Sequence, residues 1–355
     1  MSLEYNISKI LEEMELKLVE NYKRYMAQGI DKGPAYWKNR QLQNFKRYKR
    51  ENKQIIDYYM KLTKEEVTKG LREAYKDGTV QMFNSGKYDK QYFLDDINSR
   101  KMNALLNAVN HDMKDAIYAA MRLTNDVYRK NIFKSMVHMD SGLVTLKQAI
   151  DTASSDFLDK GINCIEYSNG RKVDICSYSE MAIRTNSHRA KIMGESDQAQ
   201  ELGINYCYVS EHGITCDKCA RWQGLWLFDD VYGDAKPTRS NSYPLLSEAI
   251  SDGLFHPNCR HSLIYGDPEG ERPRSKERTA EDKEKYKNEQ IQRSLERDIR
   301  KVKREMAGLQ DPEAVKKKQA ELREKQKNMR EFLSDKEYLT RRYDRETSKT
   351  APNKR

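Results

Sequence analysis

The chain has 355 residues, enough for two or three domains, and a formal net charge of +10. Only 37% of its residues are hydrophobic while 34% are charged, a balance that suits long solvated helices better than a single compact globule. No apolar run approaches the roughly 18 to 20 residues that span a bilayer, and MSLEYNISKILEEMELKL sets Glu and Lys where a signal peptide needs an unbroken apolar stretch, so neither membrane insertion nor the usual export route is expected.

From the N-terminus, Ile7, Leu11, Met14, Leu18, Tyr22 and Tyr25 recur at steps of three and four, the spacing of one helix face. The same spacing returns in YWKNRQLQNFKRYKRENKQIIDYYMKLTKEEVTKGLREAYKDG and in SRKMNALLNAVNHDMKDAIYAAMRLTNDVYRKNIFKSM, with Gly at plausible stops. Residues 1–150 therefore read as a helical region rich in Tyr, Lys and Arg. The texture changes near residue 160. CIEYSNGRKVDI sets Asn169-Gly170 between two short alternating runs, which predicts a tight hairpin. A helix ending at Gly203 follows, and INYCYVS alternates again as a strand. Residues 151–270 form a small α+β unit on this reading.

Beyond 270 the chain returns to helix. Ile291, Leu295, Ile299, Val302 and Met306 make a narrow apolar stripe, and GLQDPEAV breaks it, with Asp311 as the expected cap and Pro312 at the first helical position of the next segment. Residues 271–355 read as a charged helical hairpin or coiled-coil arm, with 27 Lys and Arg against 18 Asp and Glu. Most of the net charge sits there, so the tail is either a solvated helical surface or a non-specific contact for DNA. The overall expectation is a predominantly α, α+β protein.

The six cysteines argue for free thiols or metal ligands in a reducing compartment. Two tight knuckles stand out: Cys216 and Cys219 in TCDKCARW, and His256 and Cys259 in FHPNCRHS. Zinc takes four such ligands in a tetrahedron, and a C-x2-C turn presents two thiolates to one ion. Gly213 and Pro257 suit the turns, and His212 and His261 flank the knuckles as substitutes or supporting partners. The competing reading is a set of buried thiols and a packed histidine, because 36 residues separate the knuckles, more than in a compact finger. A redox C-x-x-C would need a βαβ setting that is missing. Cys164, Cys176 and Cys207 fall near predicted strands and read as packing residues.

A four-ligand site is closed, so metal would not imply catalysis, and no catalytic residue is assigned. HPNCRH looks superficially like an HNH nuclease motif but cannot hold the hairpin and helix that motif needs within six residues. Arg184, Ser240-Asn241-Ser242 and Glu269-Gly270-Glu271 follow the order of a toxin ADP-ribosyltransferase, yet they sit in loop-like sequence where chance matches are easy.

Four blocks, VDICSYSEMAIRTNSHRA, VSEHGITCDKCARWQG, YPLLSEAISDGLFHPNCRHSLIYGD and EKYKNEQIQRSLERDIRKVKRE, resemble the second type of phage minor capsid protein, related to the MuF-type head morphogenesis proteins of tailed phages of Gram-positive bacteria. The resemblance runs in order through about residues 165 to 305. It implies a non-catalytic virion component, made in the host cytoplasm and working beside the portal in head assembly and in genome packaging or delivery. The implied partners are the portal and other capsid components, with no membrane and no small-molecule substrate. It also places Cys216, Cys219, His256, Cys259 and His261 in the family's signature region. Members are known fused to toxin domains; this chain runs on into charged helix, so no toxin payload is expected.

Overall fold

The computed structural model describes residues 3–86, 89–94, 96–140, 144–167, 169–211, 217–238, 242–257, 259, 261–269 and 280–346. Among these, long helices dominate: α1 (Leu3–Met26), α2 (Pro34–Asn84), α3 (Ser99–Asp140), α4 (Leu146–Lys160), α5 (Ile175–Glu201), α8 (Ala280–Gly308) and α9 (Pro312–Leu333). Short helices α6 (Asp217–Ala220), α7 (Leu246–Ser251) and α10 (Tyr343–Glu346) complete the set. The strands are brief: β1 (Ile165–Glu166), β2 (Lys172–Val173), β3 (Tyr206–Val209), β4 (Trp226–Phe228) and β5 (Leu263–Tyr265). No helix among the described residues is long and apolar enough to cross a membrane. The chain is thus predominantly α with a small α+β region.

Two compact units emerge, and neither is a consecutive stretch of chain. One gathers residues 1–7, 64–112 and 179–286, the other 8–63, 113–178 and 287–355. These boundaries differ from the segments 1–150, 151–270 and 271–355 suggested by sequence texture, because long helices serve both units along their length. Residues of the helical N-terminal region therefore belong to the core around the sheet, as Met82 of α2 shows.

In the sheet-bearing unit, β3 lies between β4 and β5, antiparallel to both, with Cys207 opposite Leu227 on one side and Tyr265 on the other. Ile192 and Ala199 of α5 join Cys207, Val209, Leu227, Leu246, Leu254 and Leu263 in one buried cluster. Gly78 and Gly194 bring α2 and α5 together. A Cβ on Gly78 would lie 2.0 Å from the Lys191 carbonyl oxygen, and one on Gly194 would lie 2.0 Å from that of Tyr75. Only hydrogen fits there. Asp197, one turn beyond Gly194, then accepts from the Tyr75 hydroxyl at 2.6 Å and pairs with Lys101 at 2.6 Å.

In the helical unit, α1 to α4 enclose Tyr22, Tyr25, Trp37, Tyr48, Tyr128 and Ile132. The predicted face of α1 is buried throughout, Ile7 to Tyr25. A buried amide ladder crosses the bundle: Asn21 donates to Asn52 at 2.8 Å, and Asn52 to Asn125 at 3.0 Å. Such pairs set register, since a slipped helix would strand polar groups in the core. The hairpin β1–β2 pairs Ile165 with Val173. Its Asn169-Gly170 is not a two-residue turn. Gly170, at φ 77°, donates its N–H to the Tyr167 carbonyl at 2.8 Å, the left-handed position that closes a three-residue loop.

The tail forms the expected helical hairpin, α8 and α9, but α8 is built into the helical unit. Arg304 donates to the Leu158 and Asp159 carbonyls at 3.2 Å each, satisfying the end of α4, and pairs with buried Glu15 at 3.5 Å. At the α8–α9 break, Asp311 occupies the N-cap position without a side-chain cap bond. Asp151 instead anchors the break itself, accepting from the Gln310 and Asp311 N–H groups just before the helix at 2.8 Å each.

Two predictions follow from the α2–α5 contact. Gly78→Ala or Gly194→Ala should each cost about 2–3 kcal/mol in urea unfolding, because the new methyl meets rigid backbone. Gly70→Ala, whose methyl meets only the Leu3 side chain, should cost far less. Buried Glu195 on the same helix is pushed up to about 7 by desolvation, against the opposing pull of Lys191. The folded state therefore holds this proton more tightly than the unfolded chain, and stability falls as pH rises from about 4.5 to about 7. Glu195→Gln should be nearly neutral at low pH and stabilise by on the order of 3 kcal/mol above pH 7. Comparing the two proteins at each pH cancels the opposite effect of half-buried His188, pushed down to about 4 by desolvation and its basic neighbours.

Candidate metal centre

The two knuckles are carried by loops that leave the sheet. Cys219 lies on α6, between β3 and β4, and is buried. The turn after it is closed by Trp222 and Gln223 N–H groups donating to the Cys219 carbonyl at 3.0 and 3.2 Å, and Gly224 at φ 73° returns the chain to β4. On the other limb, Asp230 caps α7, accepting from the Ser247 N–H at 2.9 Å. The helix ends in a Schellman turn: Leu254 N–H donates to the Ala249 carbonyl at 2.9 Å and Gly253 adopts φ 109°. Phe255 then takes φ 58°, a strained conformation for an aromatic residue, immediately before His256. Its ring lies 5.7 Å from that of His188, centroid to centroid, and is buried.

These turns bring ligand atoms of Cys219, His256 and Cys259 within 4.8 Å of one another. The two sulfurs are 3.8 Å apart. A tetrahedron with metal–sulfur bonds of about 2.3 Å sets its sulfurs about 3.8 Å apart, so the pair already has the edge length of a zinc site. The Cys259 N–H donates to the His256 carbonyl at 2.9 Å, closing the H-x2-C turn. His256 Nδ1 lies 2.9 Å from the Pro257 carbonyl, which can only accept, so Nδ1 carries the proton and Nε2 is the nitrogen that could take an ion.

His261 is fully buried but stands behind this group. Its Nδ1 is 3.2 Å from Cys259 Sγ and its Nε2 is 2.8 Å from Gln223 Oε1. In that position it orients the sulfur, as supporting partners of metal ligands do. Cys216 and His212 lie outside the described residues; Cys216 is three residues before Cys219. Asp252 joins the two limbs, accepting from Trp222 Nε1 at 3.0 Å and pairing with Arg221 at 2.8 Å. Sequence reasoning overlooked Asp252, Gln223 and the Phe255 strain, none of which has a motif to announce it. Cys207 packs under the sheet, Cys176 is buried at the start of α5, and burial pushes the thiols of Cys176 and Cys207 well up, out of thiolate range.

The enzyme-like patterns fall largely outside the described residues. Arg184 pairs with Glu180 on its own helix at 2.8 Å, Glu269 is in an exposed turn, and Ser240, Asn241, Gly270 and Glu271 are outside the described residues. Comparison with known proteins bears on the whole chain: the sequence model of phage minor capsid protein 2 matches residues 1–334. The chain belongs to the phage minor capsid protein 2 family. A structural protein of Lactococcus phage LL-H is similar at 26% identity over 236 residues, with 62% of each chain covered. No solved structure matches. The family and this relative support a structural protein of the phage.

Because Asp252 holds both limbs, Asp252→Ala should destabilise the sheet-bearing unit by about 1 kcal/mol. Trp222 fluorescence should report the loosened limb, with little change at Tyr22 and its neighbours in the other unit.

Proposed function

We propose that the protein is a structural minor component of the phage head that works beside the portal in head morphogenesis and genome packaging or delivery, and that its knuckle region is held by one structural zinc. The observation that carries the first part is the family match across residues 1–334. The sulfur separation, the His256 tautomer and the buried His261 behind Cys259 support the second. Cys219, His256 and Cys259 would supply three ligands and Cys216 the fourth. Such an ion is closed to substrate, and its role is to join limbs that a small sheet holds weakly. With no open coordination position required and no assembled nucleophile and base in the described residues, a non-catalytic role is the better reading.

The alternative of a DNA-binding protein acting through the basic tail has weaker support. Among the described residues several tail cations are matched with carboxylates: Lys318 with Glu305 at 2.5 Å, Lys325 with Asp298 at 3.0 Å, Arg341 with Glu346 at 2.6 Å and Arg300 with Glu12 at 3.7 Å. A charge already paired gains less from a phosphate than a bare one.

Purified heads of the phage should contain the protein in few copies, and it should co-purify with the portal; absence from purified heads would refute the head assignment. Protein purified without chelator should carry about one zinc. Cys219→Ser, Cys259→Ser and Cys216→Ser should lose it and lower the Tm, Cys207→Ser should keep it, and His261→Ala should keep it with affinity reduced roughly 10- to 100-fold. Metal-free protein with undiminished stability would refute the zinc.

A further inference from the structure

The densest positive charge in the chain lies elsewhere than in the tail. Residues 32–50 hold seven Lys and Arg and no carboxylate, and residues 127–138 hold three and none. These stretches are neighbours in the helical unit. Lys38 of α2 sits 5.8 Å from the Phe133 ring of α3, and Arg129 sits 5.6 Å from the Phe45 ring. Antiparallel pairing of the two helices continues with Phe45 stacked on Tyr128 at 5.8 Å. Lys38, Leu42, Phe45 and Lys49 follow one helix face, as do Arg129, Phe133 and Val137. One cation of each stretch is neutralised by a flanking carboxylate, Arg129 by Asp126 at 2.7 Å and Arg47 by Glu51 at 3.2 Å, whereas Lys38 and Lys49 lie over the rings of Phe133 and Phe45.

Apolar side chains lie bare among these cations: Leu42 is 46% exposed, Phe133 54% and Val137 69%. Single exposed apolar residues are ordinary, but three on one pair of helix faces, beside stretches in which lysines and arginines outnumber carboxylates, are the composition of a binding surface. We propose that this α2–α3 face docks an acidic amphipathic segment of another head protein, its carboxylates meeting the cations and its apolar side chains covering Leu42, Phe133 and Val137. Nucleic acid is the weaker fit. Phosphate would accept the cations and a base could stack on Phe133, but Leu42 and Val137 have no π face to offer and would stay exposed.

The choice of a head protein as partner rests on the functional reading above. Full-length protein is assayed against the purified portal oligomer and major capsid protein of the same phage, with a short DNA duplex in parallel. Binding to one of the two proteins is expected, weakening as salt rises. Leu42→Ser and Val137→Ser change no charge and touch no core, so each should leave the Tm unchanged yet weaken that binding, together by roughly tenfold or more. Binding to neither protein, binding unaffected by both substitutions, or binding to the duplex alone would overturn the proposal. Heads that incorporate the doubly substituted protein at the wild-type level would also overturn it while leaving the head assignment intact, whereas absence of the wild-type chain from heads would strike that assignment itself.

Discussion

Helices that carry side chains on their facing surfaces keep their axes about 8–10 Å apart. α2 and α5 escape that limit at Gly78 and Gly194, where each backbone fills the space a Cβ would need on the other. The sheet-bearing unit is organised around this approach. It lets the Thr79 hydroxyl reach the Gly194 carbonyl at 3.4 Å, and it sets Asp197 against Tyr75 and Lys101. It also fixes the opposite side of α5, where Ile192 and Ala199 meet the cluster under β3, β4 and β5. Ser196, on the same helix, donates to Asp229 at 2.6 Å, and Asp229 accepts from Tyr265 of β5 at 2.8 Å. The knuckle loops start from strands whose position is thereby inherited from two glycines.

The helical unit solves a different problem. Its core is crowded with tyrosines and asparagines, which bury area but bring polar atoms that need partners. Asn131 donates to the Tyr22 hydroxyl at 2.9 Å, and Tyr128 donates to Gln41 Oε1 at 2.7 Å. Burial pushes the Tyr22 hydroxyl up to about 12, so it stays neutral and available as donor or acceptor. α8 enters this unit through the Glu15–Arg304 contact rather than through an apolar seam alone. Removing either charge would leave the other buried, a costly state, which ties the tail to the bundle.

Much of this was legible in the sequence because period and spacing report on single elements. The face of α1, the strand at 206–209, the start of α9 at Pro312 and the pairing of Cys219 with the His256–Cys259 knuckle were all readable from local pattern. What was not readable arises between elements distant in sequence. Gly194 looks like a flaw in a helix until Gly78 is set against it. Asp311 is a sound cap by sequence, yet its side chain makes no cap bond, and its own N–H is held by Asp151, far upstream. The tail's excess charge was a fair sum, but a sum hides pairing: several of its cations face carboxylates, while the run of cations in residues 32–50, which holds no carboxylate of its own, was averaged away within an N-terminal half rich in acids as well.

The proposed metal has a physical reason to be where it is. A sheet whose strands have three or four residues makes few ladder bonds, and each limb that leaves it must be ordered at a backbone cost of about 1–2 kcal/mol per residue. The limb between β4 and β5 contains a strained Phe255 as well as the tight turn at Gly253. Local contacts offset part of that cost: the Asp252 bridge joins the limbs on one side, and Phe255 buries its ring on the other. An ion shared by Cys219, His256 and Cys259 would act between those two points, coupling the limbs across their centre. The strain at Phe255 would then have a use, since its positive φ sets the course of the backbone into His256, whose ligand atom lies within 4.8 Å of both sulfurs.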